Sequence, residues 1–304
     1  MDYVQVAILV VVLLLAAFVL HFRAVASNAE RRLADRLPVG AGGVIAGADG
    51  FELPGSERAV LLLHGFGDTP QTVRLLGAWL QRNGWTVSAP LLPGHGRSLP
   101  EFARTGADDW LAAARRHHHD LCARHPRVAV VGLSMGGALA TILAATEAHM
   151  SALVLLAPYM TMPRMIRRLT RVAGLWGVAM PFVETRAEGS IVDPLARRES
   201  LGYGASTPRL LAQLRRVADE AVALAPRVRV PTLMIQSRSD NRIPPEAAQR
   251  VFDRFTAPVR QLLWLTESGH VITVDREREH VFAAVSSWLD THAPNVTGLS
   301  AQAD

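Results

Sequence analysis

The feature of this chain that most constrains its fold is the segment Gly132-Leu133-Ser134-Met135-Gly136, which follows a valine-rich apolar run and precedes an alanine-rich helical segment. A strand that passes into a helix through so short a turn leaves no space for side chains on its flanks, and the two glycines provide that space. Ser134 is then expected in a strained backbone conformation, with its hydroxyl exposed at the carboxyl edge of a sheet. The segment therefore predicts a strand, a nucleophilic serine and a helix, the unit from which α/β folds are built.

Two backbone amides beside the serine are predicted to bind an oxyanion. The apolar strand 58–63 ends in a His-Gly-Phe-Gly sequence at 64–67, whose glycines allow a loop to approach the turn around Ser134. The amide of Met135 lies at the start of the predicted helix, where unpaired N–H groups and the helix dipole favour negative charge. We therefore expect the amides of Phe66 and Met135 to form an oxyanion hole.

A proton acceptor and its acidic partner are predicted on two later loops. The strands 230–236 and 261–265 lead to Asp240 and His270, in the order acid then histidine that this serine motif requires. Because catalytic groups gather at the carboxyl ends of parallel strands, both side chains should lie near Ser134. Asp240 could instead cap a helix or a turn. The aspartates at 193, 219, 253 and 275 are competitors that follow a strand less directly.

With these motifs in this order, the chain resembles the serine hydrolases of the α/β-hydrolase fold over roughly residues 59–289. The Pro-Gly-His-Gly-Arg-Ser sequence at 93–98 belongs to the same resemblance, and the segment 267–275 looks like that of bacterial carboxylesterases and monoacylglycerol lipases. Ser237 is a departure, because many relatives carry glycine before the acid loop. The resemblance implies a mostly parallel sheet with helices on both faces and a small helical lid.

The resemblance also implies a mechanism, acyl transfer through a covalent acyl-enzyme. In that mechanism Ser134 attacks the carbonyl of a carboxylic ester, His270 accepts and returns the proton, and Asp240 orients His270. The same three residues could serve a thioesterase, an amidase or peptidase, or an acyltransferase, and a non-catalytic, membrane-tethered scaffold is a further alternative. A small-molecule or lipid-like ester such as monoacylglycerol is the expected substrate, and chain length and alcohol specificity stay open.

No metal and no organic cofactor are expected. The run His117-His118-His119 looks like a metal site, but consecutive helical residues point about 100° apart and cannot share one ion. A solvated helix face is the simpler interpretation. No glycine-rich phosphate loop with a lysine is present, since the chain contains no lysine. The net charge of +5 comes from scattered arginines, so no nucleic-acid partner is expected.

The N-terminal segment Val4–Phe22 is almost continuously apolar. Its residues would span about 28 Å as a helix, which is enough to cross a bilayer. Arginines follow it at 23, 31, 32 and 36, whereas only Asp2 precedes it, so the positive-inside rule predicts a cytoplasmic catalytic domain. The alternative is a cleaved signal peptide and a secreted protein, because residues 24–27 resemble a cleavage site, although no basic start precedes the apolar run.

The expected organisation is an anchor at 1–23, a juxtamembrane linker at 24–48, a hydrolase domain at 49–290 and a flexible tail at 291–304. Within the domain, predicted strands alternate with helical runs. These runs are 71–82, 108–124, 137–147, 244–255 and 276–289. Such alternation predicts a parallel sheet covered by helices on both faces. The oligomeric state stays open.

A helical lid is predicted within about 160–207, because the connection between the strand 152–156 and the strand at 230 is far longer than usual. Apolar residues at 172 and 173 share one helical face with Met165, Ile166, Leu169 and Trp176, and arginines at 164, 167, 168 and 171 occupy the other face. We expect the apolar face to pack over the site and to bind substrate. The arginine face is a candidate for contact with anionic lipid headgroups.

Overall fold

The computed structural model describes residues 2–171, 173, 183–184 and 189–294. Its first element is the helix α1, Tyr3–Arg36, a single helix of 34 residues. The side chain of Asp2 accepts a hydrogen bond of 2.8 Å from the Gln5 amide and caps the first turn. α1 extends past the predicted anchor 1–23 into the predicted linker 24–48, because residues 24–36 contain neither glycine nor proline to interrupt it.

A seven-stranded sheet forms the centre of the domain. The strands of the described residues are β1 Phe51–Leu53, β2 Arg58–Leu63, β3 Thr86–Ala89, β4 Arg127–Leu133, β5 Met150–Leu156, β6 Val183–Glu184, β7 Ala205–Ser206, β8 Thr232–Ser237 and β9 Arg260–Leu265. The main sheet has the order β1-β3-β2-β4-β5-β8-β9, and β6 pairs with β7 separately. β1, at one edge, is antiparallel to β3, whereas the other pairs of the main sheet are parallel. β2, β4, β5 and β8 therefore end at one edge of the sheet.

Helices cover both faces of this sheet. After α1, the helices of the described residues are α2 Gln71–Arg82, α3 Leu99–Arg104, α4 Ala107–Arg124, α5 Met135–Thr146, α6 Arg164–Arg171, α7 Pro194–Glu199, α8 Pro208–Leu224, α9 Pro245–Phe252 and α10 Arg278–His292. One buried cluster joins α4, α5 and α8 to Leu61 and Leu63 of β2, and a second joins α2 and α10 to Val60 and Leu62. Successive side chains of β2 therefore enter the two clusters in turn, as expected from the two-residue period of a strand. The predicted layering of helices, sheet and helices is confirmed.

The long connection between β5 and β8 contains α6, the small sheet of β6 and β7, α7 and α8. α6 is joined to α8 by an ion pair between Arg167 and Asp219. Arg215 also approaches Asp219, at 3.5 Å, so this carboxylate bridges two guanidinium groups. Trp176 of the predicted lid and residues 295–304 of the predicted tail lie outside the described residues.

Candidate active site

Ser134 lies in the turn between β4 and α5, with φ 54° and ψ −115°. Side-chain-bearing residues rarely adopt this backbone, and it persists where the surrounding structure enforces it. A Cβ atom on Gly132 would lie 2.2 Å from the carbonyl oxygen of Gly136, and one on Gly136 would lie 2.1 Å from the carbonyl oxygen of Leu63. Gly132 is therefore needed for the turn to close on itself, and Gly136 is needed for the turn to pack against β2.

The structure brings Ser134, His270 and Asp240 together from the loops after β4, β9 and β8. His270 Nε2 lies 2.8 Å from Ser134 Oγ, and His270 Nδ1 lies 2.8 Å from Asp240 Oδ2. With its proton on Nδ1, the imidazole donates to the carboxylate and accepts from the serine hydroxyl. All three residues are buried. The arrangement can remove the proton from the serine and keep the resulting imidazolium next to a negative charge.

Asp240 is held by donors on both carboxylate oxygens. Oδ1 accepts the amides of Arg242 at 2.7 Å and Ile243 at 3.0 Å, and Oδ2 accepts Gln236 Nε2 at 2.7 Å besides His270. Burial acts to raise the pKa of Asp240, but His270 and the two amides act in the opposite direction and hold that pKa below its ordinary value. Asp240 is therefore ionised at neutral pH.

The loop after β2 lies against the turn that carries Ser134, since a Cβ atom on Gly65 would be 3.4 Å from the Cβ of Ser134. Phe66, the next residue, lines the same cavity as Ser134. Met135 is the first residue of α5, where helix amides lack an intrahelical partner. Ser134 is thus bordered by the loop and by the helix N-terminus, which is what the predicted oxyanion donors Phe66 and Met135 require.

His64 holds this loop in place. Its Nδ1 lies 2.9 Å from the carbonyl oxygen of Gly65, and its Nε2 accepts the amide of Leu92 at 3.1 Å. Burial lowers the pKa of His64 to about 4, so the ring is neutral and can donate at one nitrogen while it accepts at the other. His64 therefore links the loop 64–67, which we call the oxyanion loop after its predicted role, to the loop after β3.

The loop that carries His270 is held by the carboxylate of Asp275. Asp275 accepts the amide of Gly269 at 2.7 Å and, from the long insertion, the amides of Val192 at 2.9 Å and Asp193 at 2.8 Å. The sequence left Asp275 as an alternative to Asp240 for the acid that orients His270, but backbone amides occupy the carboxylate oxygens of Asp275. It fixes the backbone next to His270, a role that sequence spacing alone does not indicate.

A cavity of about 760 Å³ reaches Ser134 and His270, within the range of about 300–1,000 Å³ typical of small-molecule sites. Its wall is mostly apolar. The apolar lining residues include Phe66, Leu133, Ile166, Leu169, Ile191, Leu211, Leu214 and Val271. Among the described residues of the wall, the arginines are Arg36, Arg197 and Arg242, and the acid is Asp68. Neither Arg36 nor Asp68 was predicted from the sequence.

Two of the predicted lid residues, Ile166 and Leu169, line this cavity. Met165 differs from the prediction: it is not part of the cavity wall, and 72% of the residue is exposed. It precedes Ile166 by one position, which turns it about 100° around the helix from the face that meets the cavity. The cavity-facing part of α6 is therefore narrower than the predicted apolar stripe.

In the described ranges, no three or more His, Cys, Asp or Glu side chains are grouped so that they could hold a metal ion. Within the histidine run of α4, His118 is fully buried, and its Nε2 lies 3.5 Å from Cys122 Sγ. The prediction of a solvated face is wrong for this residue. The spacing of Ala114, His118 and Leu121 places them on one face of α4, and that face packs on the core.

A mostly parallel sheet whose carboxyl edge carries a serine in a strand-to-helix turn, followed in the chain by an aspartate and a histidine, defines an α/β-hydrolase. The Serine aminopeptidase, S33 family model matches residues 55–277, and the chain belongs to this family.

Three relatives refine this assignment. The chain is 30% identical over 249 residues to a carboxylesterase of Bacillus subtilis, covering 79% of this chain and 95% of that protein. It is 28% identical over 250 residues to a thermostable monoacylglycerol lipase of Bacillus sp. strain H-257, covering 82% and 97%. A solved structure from work on the metagenome-derived lipolytic enzymes LipS and LipT matches with a TM-score of 0.73 and 29% identity, over 82% of this chain and 100% of that chain. The predicted resemblance to α/β-hydrolase esterases and lipases is confirmed.

Proposed function

We propose that this protein cleaves carboxylic esters, with Ser134 as nucleophile, His270 as general base and acid, and Asp240 as the residue that orients His270. The observation that carries the proposal is the pair of 2.8 Å contacts that link the serine hydroxyl to the imidazole and the imidazole to the carboxylate, at the wall of an apolar cavity. The relatives named as a carboxylesterase and a monoacylglycerol lipase support an ester as substrate.

In the first half of the proposed reaction, Ser134 Oγ forms a bond to the ester carbonyl carbon while its proton passes to His270 Nε2. The carbonyl oxygen becomes an oxyanion, which the amides of Phe66 and Met135 stabilise. The intermediate then collapses, the bond to the alcohol breaks, and the proton on Nε2 passes to the departing alcohol oxygen. An acyl-enzyme remains on Ser134.

In the second half, water takes the place of the alcohol. His270 removes a proton from the water, whose oxygen attacks the acyl carbon, and the same two amides hold the second oxyanion. Collapse returns the proton to Ser134 Oγ and releases the carboxylic acid. No step requires a metal or an organic cofactor, because the proton transfers balance within the side chains and water.

The lining of the cavity favours an uncharged or lipid-like ester over the amine-bearing peptide that the family name denotes. An aminopeptidase must bind a positively charged N-terminus. Here Asp68 is the acid of the described cavity wall, and Arg36, Arg197 and Arg242 share that wall with it. Three guanidinium groups disfavour an ammonium ion by like-charge repulsion. The apolar remainder of the wall suits an acyl chain.

We also propose that α1 anchors the enzyme to the cell membrane. An 18-residue window of α1 has a mean hydropathy of 2.9, and none of it is buried against the described part of the chain. The flanking arginines favour a cytoplasmic catalytic domain. A signal sequence would satisfy the same measures, and the mass of the mature protein distinguishes the two: the anchor predicts that residues 4–22 are retained.

The function is tested with p-nitrophenyl esters of increasing acyl length, together with monoacylglycerols, on the full-length enzyme in detergent. We expect hydrolysis with a preferred chain length, and a loss of about 10⁴-fold or more in Ser134→Ala. Ser287→Ala, at an exposed serine of α10, is the control and should keep wild-type activity. Covalent labelling of Ser134 by a fluorophosphonate is measured in parallel.

The alternatives give different results. Labelling without ester hydrolysis would point to a thioester or amide substrate on the same residues. Transfer of the acyl group to an added alcohol, in preference to water, would indicate an acyltransferase. The absence of both labelling and hydrolysis in a folded protein would refute the proposal and favour a membrane-tethered scaffold.

A further inference from the structure

The C-terminal end of α1 is packed into the catalytic domain. Leu33 and Leu37 are buried, with 8% and 7% exposed, and both belong to the core cluster that also contains α4, α5 and α8. The amide of Leu37 caps the helix by donating to the carbonyl oxygen of Leu33 at 2.7 Å. The helix that carries the apolar membrane segment therefore ends as a fixed part of the domain.

Arg36, the last residue of α1, lies between these two leucines and reaches the wall of the active-site cavity. Its Nη2 donates to the carbonyl oxygens of Gly202 at 2.6 Å and Tyr203 at 3.0 Å. These partners are 166 and 167 positions away in the chain. Hydrogen bonds from a charged donor are stronger than those between neutral groups. One guanidinium group thus fixes the segment 202–203 to the membrane helix.

The segment 202–203 in turn holds the oxyanion loop. The amide of Tyr203 donates to the carbonyl oxygen of Gly67 at 2.8 Å, immediately after the predicted oxyanion donor Phe66. The Tyr203 hydroxyl accepts the Arg97 amide at 2.8 Å and lies 2.8 Å from the Arg97 carbonyl oxygen, so the tyrosine also fixes the loop after β3. Gly67 has φ 64°, a left-handed conformation that glycine adopts without steric cost.

We propose that Arg36 is a positioning residue for the active site, and that α1 serves as a wall of the substrate cavity as well as an anchor. Arg36 holds the segment 202–203, this segment holds Gly67, and the position of the Phe66 amide follows. This inference rests on the proposed ester hydrolysis, because it assigns Arg36 to the oxyanion loop of that reaction. The family match begins at residue 55, so the contact belongs to a part of this chain outside the family's shared domain.

The consequence is a mechanical link between the membrane segment and the site. α1 is continuous from Tyr3 to Arg36, so a change in how the apolar part lies in the bilayer loads the contact between Arg36 and the segment 202–203 at its other end. Oxyanion donors act through preorganisation, and displacement by about 1 Å can cost on the order of 10²-fold in rate. Loss of the Arg36 contact should therefore affect turnover more than substrate binding.

The test compares full-length Arg36→Ala with Arg31→Ala in detergent, on a short-chain p-nitrophenyl ester. Arg31 lies on the same helix, and its Nη2 donates locally to Asn28 Oδ1 at 2.5 Å, so its loss removes the same charge without touching the cavity. We measure kcat, KM, melting temperature and the affinity for a phenylboronic acid, which forms a tetrahedral adduct with an active serine. Arg36→Lys, which keeps a donor but loses the planar geometry, is the conservative variant.

We expect Arg36→Ala to lower kcat by roughly tenfold to a hundredfold, with a similar loss of boronate affinity and a smaller change in KM. Arg31→Ala should match the wild type, and Arg36→Lys should recover part of the loss. If Arg36→Ala does not fold, Arg36→Lys becomes the test by itself. A fall in both the kcat and the boronate affinity of Arg36→Lys, at a wild-type melting temperature, then supports the inference.

Wild-type kcat and boronate affinity in both Arg36 variants would overturn the inference, and so would an equal loss in Arg31→Ala. A wild-type protein that neither hydrolyses esters nor reacts with a fluorophosphonate would refute the proposed function itself, and the inference would fall with it. The failure of the Arg36 inference is distinct from the failure of the proposed function, because only the former occurs with a wild-type protein that hydrolyses esters.

Discussion

Replacement of Asp68 by asparagine should stabilise the protein, and more strongly as the pH rises. Asp68 follows the oxyanion loop and lines the cavity, and it accepts the amide of Thr69 at 2.9 Å. A Cβ atom on Gly202 would lie 3.9 Å from its Oδ1, so the insertion lies against one side of the carboxyl. Burial raises the pKa of Asp68 to about 6, against the opposing effects of the Thr69 amide, the Thr72 hydroxyl and His270.

The sign of the effect follows from proton binding. The ordinary pKa of this carboxyl is 3.8, so between pH 3.8 and about 6 the folded protein binds more protons than the unfolded chain. The free energy of unfolding therefore falls as the pH rises through this range, and above about pH 6 the loss is complete. At 1.36 kcal/mol per pKa unit, the full loss in the free energy of unfolding is about 3 kcal/mol. The side chain is partly exposed to the cavity, so solvent screening makes this an upper bound.

The assay is thermal unfolding of wild type and Asp68→Asn at pH 5 and pH 8 in the same detergent. For a domain of this size 1 kcal/mol corresponds to about 2–4 °C, so the variant should melt up to about 10 °C above the wild type at pH 8 and by about half of that gain at pH 5. Asp120→Asn, at an exposed position of α4, should show no such pH-dependent gain. A difference between Asp68→Asn and wild type that is equal at both pH values would refute the reasoning.

Four further predictions concern the site and its supports. Asp240→Asn should keep the fold but lower kcat by about 10⁴-fold, because the amide favours the wrong imidazole tautomer; steady-state kinetics with circular dichroism checks this, and near-normal kcat would contradict it. Gly136→Ala should abolish soluble folded protein, since its Cβ would meet the Leu63 carbonyl oxygen at 2.1 Å; a wild-type melting temperature would count against the packing described. Asp275→Ala should lower the free energy of unfolding by about 2 kcal/mol or more in denaturant unfolding, because the buried amide of Gly269 and two half-buried amides lose their acceptor, and an unchanged midpoint would be the contrary result. Arg168→Glu, at an exposed position of α6, should reduce hydrolysis of esters in anionic vesicles more than of soluble esters, and equal effects on both would exclude the lid contact with headgroups.

The local parts of the site could be predicted because steric rules act over a few residues. A turn that carries Ser134 between two glycines has one workable geometry, and the steric contacts at Gly132 and Gly136 enforce it. Asp240 and His270 follow from chain order together with the rule that parallel strands end at one edge. The contacts of Asp240 with Arg242 and Ile243 are also local, within three residues.

Other parts depend on which distant segments meet, and pattern alone does not reveal that. Arg36 contacts carbonyl groups 166 and 167 positions away, and its spacing on α1 only marks it as a flanking charge. His118 is buried because a helix face that contains alanine and leucine carries it inward, although its neighbours in the run are more exposed. Asp68 directly follows the His-Gly-Phe-Gly sequence at 64–67, but its pKa is raised by burial, to which the distant Gly202 contributes.

The loops at the sheet edge lack strand partners, so side chains satisfy their backbone groups. Asp275 and Glu277 each accept several amides around the loop of His270, and Asp240 accepts two within its own loop. The oxyanion loop is held differently: the neutral ring of His64 and the amide of Tyr203 bind its carbonyl oxygens. Carboxylates within the hydrolase domain thus fix the acid and histidine loops. The oxyanion loop instead depends on the segment 202–203, which Arg36 holds from outside the family's shared domain. A movement of α1 would therefore displace the oxyanion loop before it displaced the acid or the histidine loop.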